Sequence, residues 1–162
     1  MEKKFILTDK FVINSIGIKL FQIKCTKSFK YAQKGDFGGY VEKEGNLDQE
    51  NDAWVSGDAR VFGNARVSGD AWVSGNAWVS GDADIENDNE HCGFDGFGSC
   101  NRHTHAYMTK EKKVEIICGC FRGSIEEFEK KVEETHSGTV YEKQYKSIIN
   151  VIKIKFGLTD FT

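Results

Sequence analysis

The chain has 162 residues, 39% of them aliphatic or aromatic, which is enough for one compact domain or two small ones. Its formal net charge of −3 argues against general binding to nucleic acid, which needs clustered lysine and arginine, although it leaves room for a local basic patch. No apolar run reaches eighteen residues, and the apolar stretch near the start is too short for a signal peptide, so we expect an intracellular protein without a membrane partner.

Residues 1–36 predict a small β unit ahead of a repeat. Runs at 4–7, 11–14 and 18–25 are rich in β-branched and aromatic residues and are typical of short strands. A turn is expected near Gly17, between the second run and the third. We expect this segment to cap the open end of the repeat structure, because an uncovered end is an unpaired sheet edge.

A six-residue repeat occupies residues 37–88 and is clearest in six consecutive units from residue 51 onward. Each unit opens with glycine or asparagine, and it carries a small residue and, two positions later, a β-branched one. The small residues are Ala53, Ala59, Ala65, Ala71, Ala77 and Ala83, and the β-branched ones are Val55, Val61, Val67, Val73, Val79 and Ile85. Earlier units keep the six-residue phase, which predicts that Val41 and Leu47 lie in the alanine column and that there are a little under three coils.

The period of six predicts a coil of short strands joined by corners. Residues two apart share one face of a strand, so alanine and valine point to the same side, and we expect them to fill the interior. Gly-Asp and Gly-Asn pairs tolerate the positive φ of a tight corner. Three units then make a coil of eighteen residues, and successive coils stack at the strand spacing of about 4.8 Å.

Stacking at eighteen residues predicts three outward faces. The first carries Trp54 over Trp72, the second Arg60 over Trp78 as a cation–π pair, and the third Arg66 over Asp84 as an ion pair. Outward aromatic residues on so small a prism indicate self-association, cover by the terminal segments, or a binding face for another protein or a stacked base. The predicted binding residues of these faces are Trp54, Arg60, Phe62, Arg66, Trp72 and Trp78.

Residues 89–162 predict a small β-α-α tail. Residues 89–113 show no regular pattern, and a strand is expected at 114–118. Ser124 and Glu127 have the spacing of a capping box, which predicts a helix over 125–136, and a second helix is expected over 141–156.

The tail also concentrates groups capable of chemistry. A helix opening at Arg122 and Ser124, with Arg102, His103 and His105 on the preceding hairpin, predicts an anion site, against the simpler interpretation of an ordinary capped helix. Zinc is a weaker alternative, because the cysteine spacings are not those of short knuckles and buried thiols would explain them. The possible ligands are His91, Cys92, Cys100, His103, His105, Cys118, Cys120 and His136.

Two catalytic alternatives remain open at this point. His91 follows the last coil and is the best candidate base for an acyl or nucleotidyl transferase, although under three coils are too few to line a long donor groove. Cys118 or Cys120 could serve as a nucleophile, since Cys120 is expected just before a helix N-terminus, where a thiol pKa is lowered. Neither pattern is specific, so we expect no enzyme activity and no cofactor.

The repeat resembles the hexapeptide-repeat left-handed parallel β-helix proteins. The entry segment Gly38-Gly-Tyr-Val-Glu with Asn46-Leu47, and the tail motif Cys118-Gly-Cys-Phe-Arg-Gly-Ser124, are similar to small phage and prophage proteins. The resemblance implies a mainly β fold, with an N-terminal β cap (1–36), a short left-handed β-helix (37–88) and a C-terminal α/β subdomain (89–162). It also implies a homo-oligomer, since such β-helices commonly form trimers.

The resemblance and the lack of a catalytic signature together predict a non-enzymatic phage protein in the cytoplasm of a bacterial host. We expect it to block a host defence effector, for example a CRISPR–Cas complex, by direct protein binding. One alternative is sequestration of a phosphorylated or nucleotide defence signal. The other is an acyltransferase-like enzyme.

Overall fold

The computed structural model describes residues 1–159. They form a mainly β protein with two α-helices, in two compact units that divide between Asp88 and Asn89. No helix among the described residues is both long enough and apolar enough to cross a membrane.

The first unit begins with three antiparallel strands at one side of a five-stranded sheet. Strand β1 (Phe5–Ile13) pairs with β2 (Lys19–Cys25), which pairs with β3 (Phe37–Val41). The two separate strands expected at 4–7 and 11–14 are one strand. Leu7 faces Ile23 and Phe11 faces Phe21, so β1 absorbs two extra residues in a bulge between these pairs.

Six two-residue strands follow, each formed by the fourth and fifth residues of a repeat unit. They are β4 (Trp54–Val55), β5 (Arg60–Val61), β6 (Arg66–Val67), β7 (Trp72–Val73), β8 (Trp78–Val79) and β9 (Asp84–Ile85). β4 pairs with β7, β5 with β8 and β6 with β9, all in parallel and all eighteen residues apart. The predicted coil length is therefore confirmed, and we call residues 37–88 the solenoid.

The interior of the solenoid holds the two predicted columns. The alanines at 53–83 are at most 2% exposed, and the valines and Ile85 are fully buried. Each alanine lies beside a corner, where the interior of the coil is narrow, and its small side chain fits there. At the corner, Gly57 adopts φ +63°, and a Cβ there would lie 3.3 Å from the backbone nitrogen of Gly75 in the next coil. Close stacking of the corners thus requires glycine.

The entry to the solenoid differs from the prediction. Val41 pairs with Val61 and Leu47 bridges to Val67, and both separations are twenty residues. The expected place of Val41 and Leu47 in the alanine column is therefore wrong, and both lie in the valine column. Two extra residues between Leu47 and Val55 shift the phase, in a segment where Asn51 adopts a positive φ of 55°.

A buried lysine joins the N-terminal sheet to the first corner of the solenoid. The Lys4 ammonium donates hydrogen bonds to the carbonyl oxygens of Glu50 (3.1 Å), Asn51 (3.1 Å) and Ala53 (2.7 Å). Burial lowers the pKa of Lys4 to about 8, which leaves it charged at neutral pH. The three carbonyls give this charge the partners that a buried ammonium needs.

The second unit is a four-stranded antiparallel sheet with two helices. The strands β10 (His91–Phe97), β11 (Arg102–Met108), β12 (Val114–Cys118) and β13 (Phe121–Ser124) lie in chain order. The helices α1 (Ile125–His136) and α2 (Val140–Lys155) pack with the sheet around Ala106, Ile116, Phe128 and Ile152.

The expectation that residues 89–113 are irregular is wrong, because most of them form the hairpin β10–β11. The expectations for 114–118 and for both helices are confirmed, the second helix within one residue. Alternation explains the hairpin. Cys92 and Phe94 pack on the helical core, whereas His91, Gly93 and Asp95 occupy the opposite face.

Candidate functional site

The outward residues of the solenoid stack in the predicted columns. Trp54 pairs with Trp72, Arg60 with Trp78, and Arg66 with Asp84. The two tryptophans of the first column differ strongly in exposure. Trp54 is 2% exposed, whereas Trp72 is 43% exposed.

Part of the N-terminal segment covers the first column. The Phe29 ring meets the Trp54 ring edge to face, with centroids 5.3 Å apart. Tyr31 stacks on Trp72, with centroids 5.1 Å apart and an interplanar angle of 23°. Trp72 also donates its indole N–H to the Ser56 hydroxyl at 2.8 Å. We call the Tyr31–Trp72 pair the aromatic ridge, and its indole is fixed although it remains exposed.

Side chains of the other two columns contact neighbouring side chains of the solenoid. The Arg60 guanidinium lies 5.2 Å from the Trp78 ring, as predicted, and Phe62 meets Trp78 edge to face at 6.2 Å. The expected ion pair between Arg66 and Asp84 does not form among the described residues. Arg66 instead lies 3.8 Å from the carboxylate of Asp48.

The hairpin β10–β11 aligns three imidazoles and a carboxylate, which we call the imidazole row. His91 Nδ1 lies 3.1 Å from His105 Nε2, and His105 Nδ1 lies 3.1 Å from His103 Nε2. His103 Nδ1 in turn lies 2.7 Å from the Asp95 carboxylate. Gly93 makes room for the row, since a Cβ there would lie 2.7 Å from atoms of both His103 and His105.

The carboxylate sets the direction of the protons in the row. Asp95 is an acceptor when ionised, so His103 donates from Nδ1, and in its neutral form His103 accepts at Nε2. His105 must then donate from Nδ1 and accept at Nε2, and His91 must donate from Nδ1. In its neutral form, His91 therefore carries its lone pair on Nε2, the tautomer of a base or a metal ligand.

His105, at the centre of the row, is only 3% exposed. Burial, followed by the neighbouring His91 and His103, lowers the pKa of His105 well below 6.5. The row is therefore neutral at its centre at physiological pH, and a proton there is opposed by both neighbours.

Four of the five residues of the expected anion site have other partners. Arg122 lies 3.4 Å from the Glu115 carboxylate on the neighbouring strand. Ser124 and Glu127 form the predicted capping box, in which Glu127 N–H donates to Ser124 Oγ at 3.1 Å and Ser124 N–H donates to the Glu127 carboxylate at 2.8 Å. A carboxylate thus already occupies this helix N-terminus, while His103 and His105 belong to the imidazole row.

The cysteines are free thiols in different surroundings. Cys118 is buried and accepts a hydrogen bond from the Thr104 hydroxyl at 3.3 Å. Cys120 is exposed in the turn between β12 and β13, so the expectation that it directly precedes a helix is wrong. Within residues 1–159, no group of three or more His, Cys, Asp or Glu side chains is placed to hold a metal ion.

Sequence reasoning missed two features of these sites. Asp95 was not singled out, although its alternation with His91 and Gly93 was available as a signal. Tyr31 was also overlooked, because nothing in its local sequence indicates that it stacks on a tryptophan forty-one residues later.

Comparison with known proteins identifies the repeat. The family model of the YdcK beta solenoid repeat matches residues 53–68, 59–75 and 65–81. No curated protein and no solved structure shows a match to the chain. The overlapping matches fall where the parallel pairings at eighteen residues are found. The chain is therefore a β-solenoid repeat protein, similar over these residues to the YdcK repeat.

Proposed function

We propose that the protein is a non-enzymatic binding protein of a phage or prophage, and that it inhibits a host bacterial defence factor, in the manner of an anti-CRISPR protein, by direct protein binding. The observation that carries this proposal is the aromatic ridge. Trp72 is 43% exposed, yet its ring is stacked on Tyr31 and its N–H is bonded to Ser56.

A fixed, exposed tryptophan is well suited to protein recognition. Tryptophan and tyrosine dominate the energetics of protein interfaces because each buries a large rigid surface. Trp72 has already lost its rotamer freedom, so binding does not incur that entropic cost again. The adjacent column adds Arg60 over Trp78, and arginine is also enriched at such interfaces.

The charge of the solenoid indicates the chemistry of the partner surface. Residues 42–88 contain eleven acidic and three basic residues. A partner with a basic surface would be steered towards this unit and a partner with an acidic one repelled. Defence factors that handle nucleic acid carry such basic surfaces, which favours them as the target class.

We also propose that the coil is left-handed and that the protein forms a homo-oligomer, either a dimer or a trimer. The six-residue period and the parallel pairing at eighteen residues support the coil type. The exposed ridge would supply apolar area for self-association if the partner were a second copy of this chain. Sedimentation of the wild type and of Trp72→Ala measures the oligomeric state directly.

Phage plating on a host with active immunity tests the function. Expression of the wild type is expected to restore plaques, and Trp72→Ala is expected to lower the plaque count by about tenfold or more, as for loss of a hot-spot residue. Phe97→Ala is the matched control, since Phe97 is 37% exposed and lies in the other unit. Failure of the wild type to protect phage, or equal activity of the two variants, would contradict the proposal.

A further inference from the structure

A small cavity lies between the helices and the sheet of the second unit. Its volume is about 110 Å³, and it opens to solvent. The apolar part of its wall comes from Phe121 on β13 and from Phe128 and Val132 on α1. Tyr145 of α2 closes one side, and this residue is 5% exposed.

The polar part of the wall carries two cationic side chains. Arg102 of β11 and Lys131 of α1 line the cavity beside the His136 imidazole, and no aspartate or glutamate is among its lining residues. Across residues 1–159, neither Arg102 nor Lys131 forms an ion pair with a carboxylate. Arg102 differs in this respect from Arg122, which is paired with the Glu115 carboxylate.

Two glycines allow this arrangement. Gly119 adopts φ +60° in the turn after β12, and a Cβ there would lie 2.6 Å from Arg102 Nη1, so the guanidinium packs directly on the turn. A Cβ at Gly98 would overlap the Tyr145 hydroxyl. Both glycines therefore leave space that the Arg102 and Tyr145 side chains occupy.

Tyr145 contributes a hydrogen-bond donor. Burial, and next the neighbouring Cys118 thiol, raise the pKa of Tyr145, so its phenol keeps its proton at neutral pH. The hydroxyl lies 3.8 Å from Cys118 Sγ, a sulfur contact that is weaker than a hydrogen bond to an anionic oxygen. Donors thus predominate on the polar side of the cavity.

We propose that this cavity binds the phosphate group of a small organic phosphomonoester. Cations and donors without facing carboxylates favour an anion, and a guanidinium matches the geometry of a phosphate. The volume is below the roughly 150 Å³ of a cavity that admits benzene. The phosphate and the first atoms of its ester therefore enter, the apolar wall contacts those carbons, and the remainder of the ligand stays outside.

Calorimetric titration of the full chain tests the proposal with three probes, namely phenyl phosphate, inorganic phosphate and phenol. Phenyl phosphate is expected to bind saturably, with inorganic phosphate weaker by about tenfold, since it lacks the carbons that meet the wall. Phenol is expected to bind far more weakly than phenyl phosphate. Equal affinities for the two phosphates would overturn the role of the apolar wall.

Variants separate this cavity from general surface charge. Arg102→Gln and Lys131→Gln each remove one charged donor and are expected to weaken phenyl phosphate binding by about tenfold or more. Lys130→Gln is the matched control, because the adjacent Lys130 does not line the cavity, and it is expected to stay within about twofold of the wild type. Absence of saturable binding, or an equal loss in Lys130→Gln, would overturn the proposal. No residue of the first unit lines this cavity, so either result leaves the protein-binding proposal to its own test.

Discussion

Acidification provides a quantitative test of the imidazole row. The pKa of His105 lies well below 6.5 in the folded protein, whereas an imidazole in the unfolded chain titrates near that value. As the pH falls, the unfolded state takes up a proton that the folded state does not. The contribution of His105 to stability is therefore present above about pH 6.5 and is lost as the pH falls towards its folded-state pKa.

The size of the effect follows from this linkage. If His105 stays neutral in the folded state, lowering the pH from 7 to 5.5 should reduce the free energy of unfolding by about 1.3 kcal/mol through this residue. Urea titrations at the two pH values measure the loss. His105→Gln keeps one donor and one acceptor in the row but does not titrate, so its loss should be smaller than that of the wild type by this amount.

An imidazole outside the row provides the control for this experiment. His136→Gln leaves His105 intact and is expected to retain the part of the loss that His105 causes. If the wild type and His105→Gln lose the same free energy between the two pH values, the assignment of the buried neutral imidazole is refuted.

Three further substitutions test the packing. Gly93→Ala should lower the free energy of unfolding by about 1–3 kcal/mol, because its Cβ would lie 2.7 Å from imidazole atoms. In the control Gly45→Ala the new Cβ would meet no atom within 4 Å, so this free energy should change by less than about 0.5 kcal/mol. Equal shifts of the melting temperature in the two variants would count against the row. Trp54→Ala should cost about 3–5 kcal/mol in urea unfolding, because the ring is 2% exposed, and a neutral result would mean that this column is not covered. Lys4→Met should lower the free energy of unfolding by about 3 kcal/mol, since it removes the charged donor from three carbonyl oxygens. Unchanged stability would show that these oxygens have other hydrogen-bond donors.

The solenoid was predictable because its sequence pattern is local and repeated. Ala53 and Val55 define the inward face within one unit, and five further units repeat that information in phase. The stacking of Trp54 on Trp72 then follows from counting eighteen residues. The six-residue phase breaks between Leu47 and Val55, and there counting residues gave the wrong column. The two extra residues do not alter the sequence pattern of the units on either side, so the sequence does not reveal the break.

The imidazole row could not be predicted in the same way. His91 and Asp95 share a face of one strand, but their alignment with His103 and His105 depends on the register of the hairpin. That register is set across an irregularity between Phe94 and Phe97, which contains Gly96, and a turn at Gly98; both glycines adopt positive φ, and no repeat supplies this information. The placement of the expected anion-site residues also depends on the strand order, since Arg122 and Arg102 lie on strands separated by β12.

We propose above that the aromatic ridge of the solenoid binds a host protein. The most direct measurement is quantitative capture from a lysate of the bacterial host on immobilised wild type, Trp72→Ala and Phe97→Ala, with the captured protein then purified and its affinity measured. We expect one defence factor to bind to the wild type and to Phe97→Ala, with an affinity for Trp72→Ala weaker by about tenfold or more. A partner bound equally well by all three proteins, or no defence factor on the wild type, would contradict it.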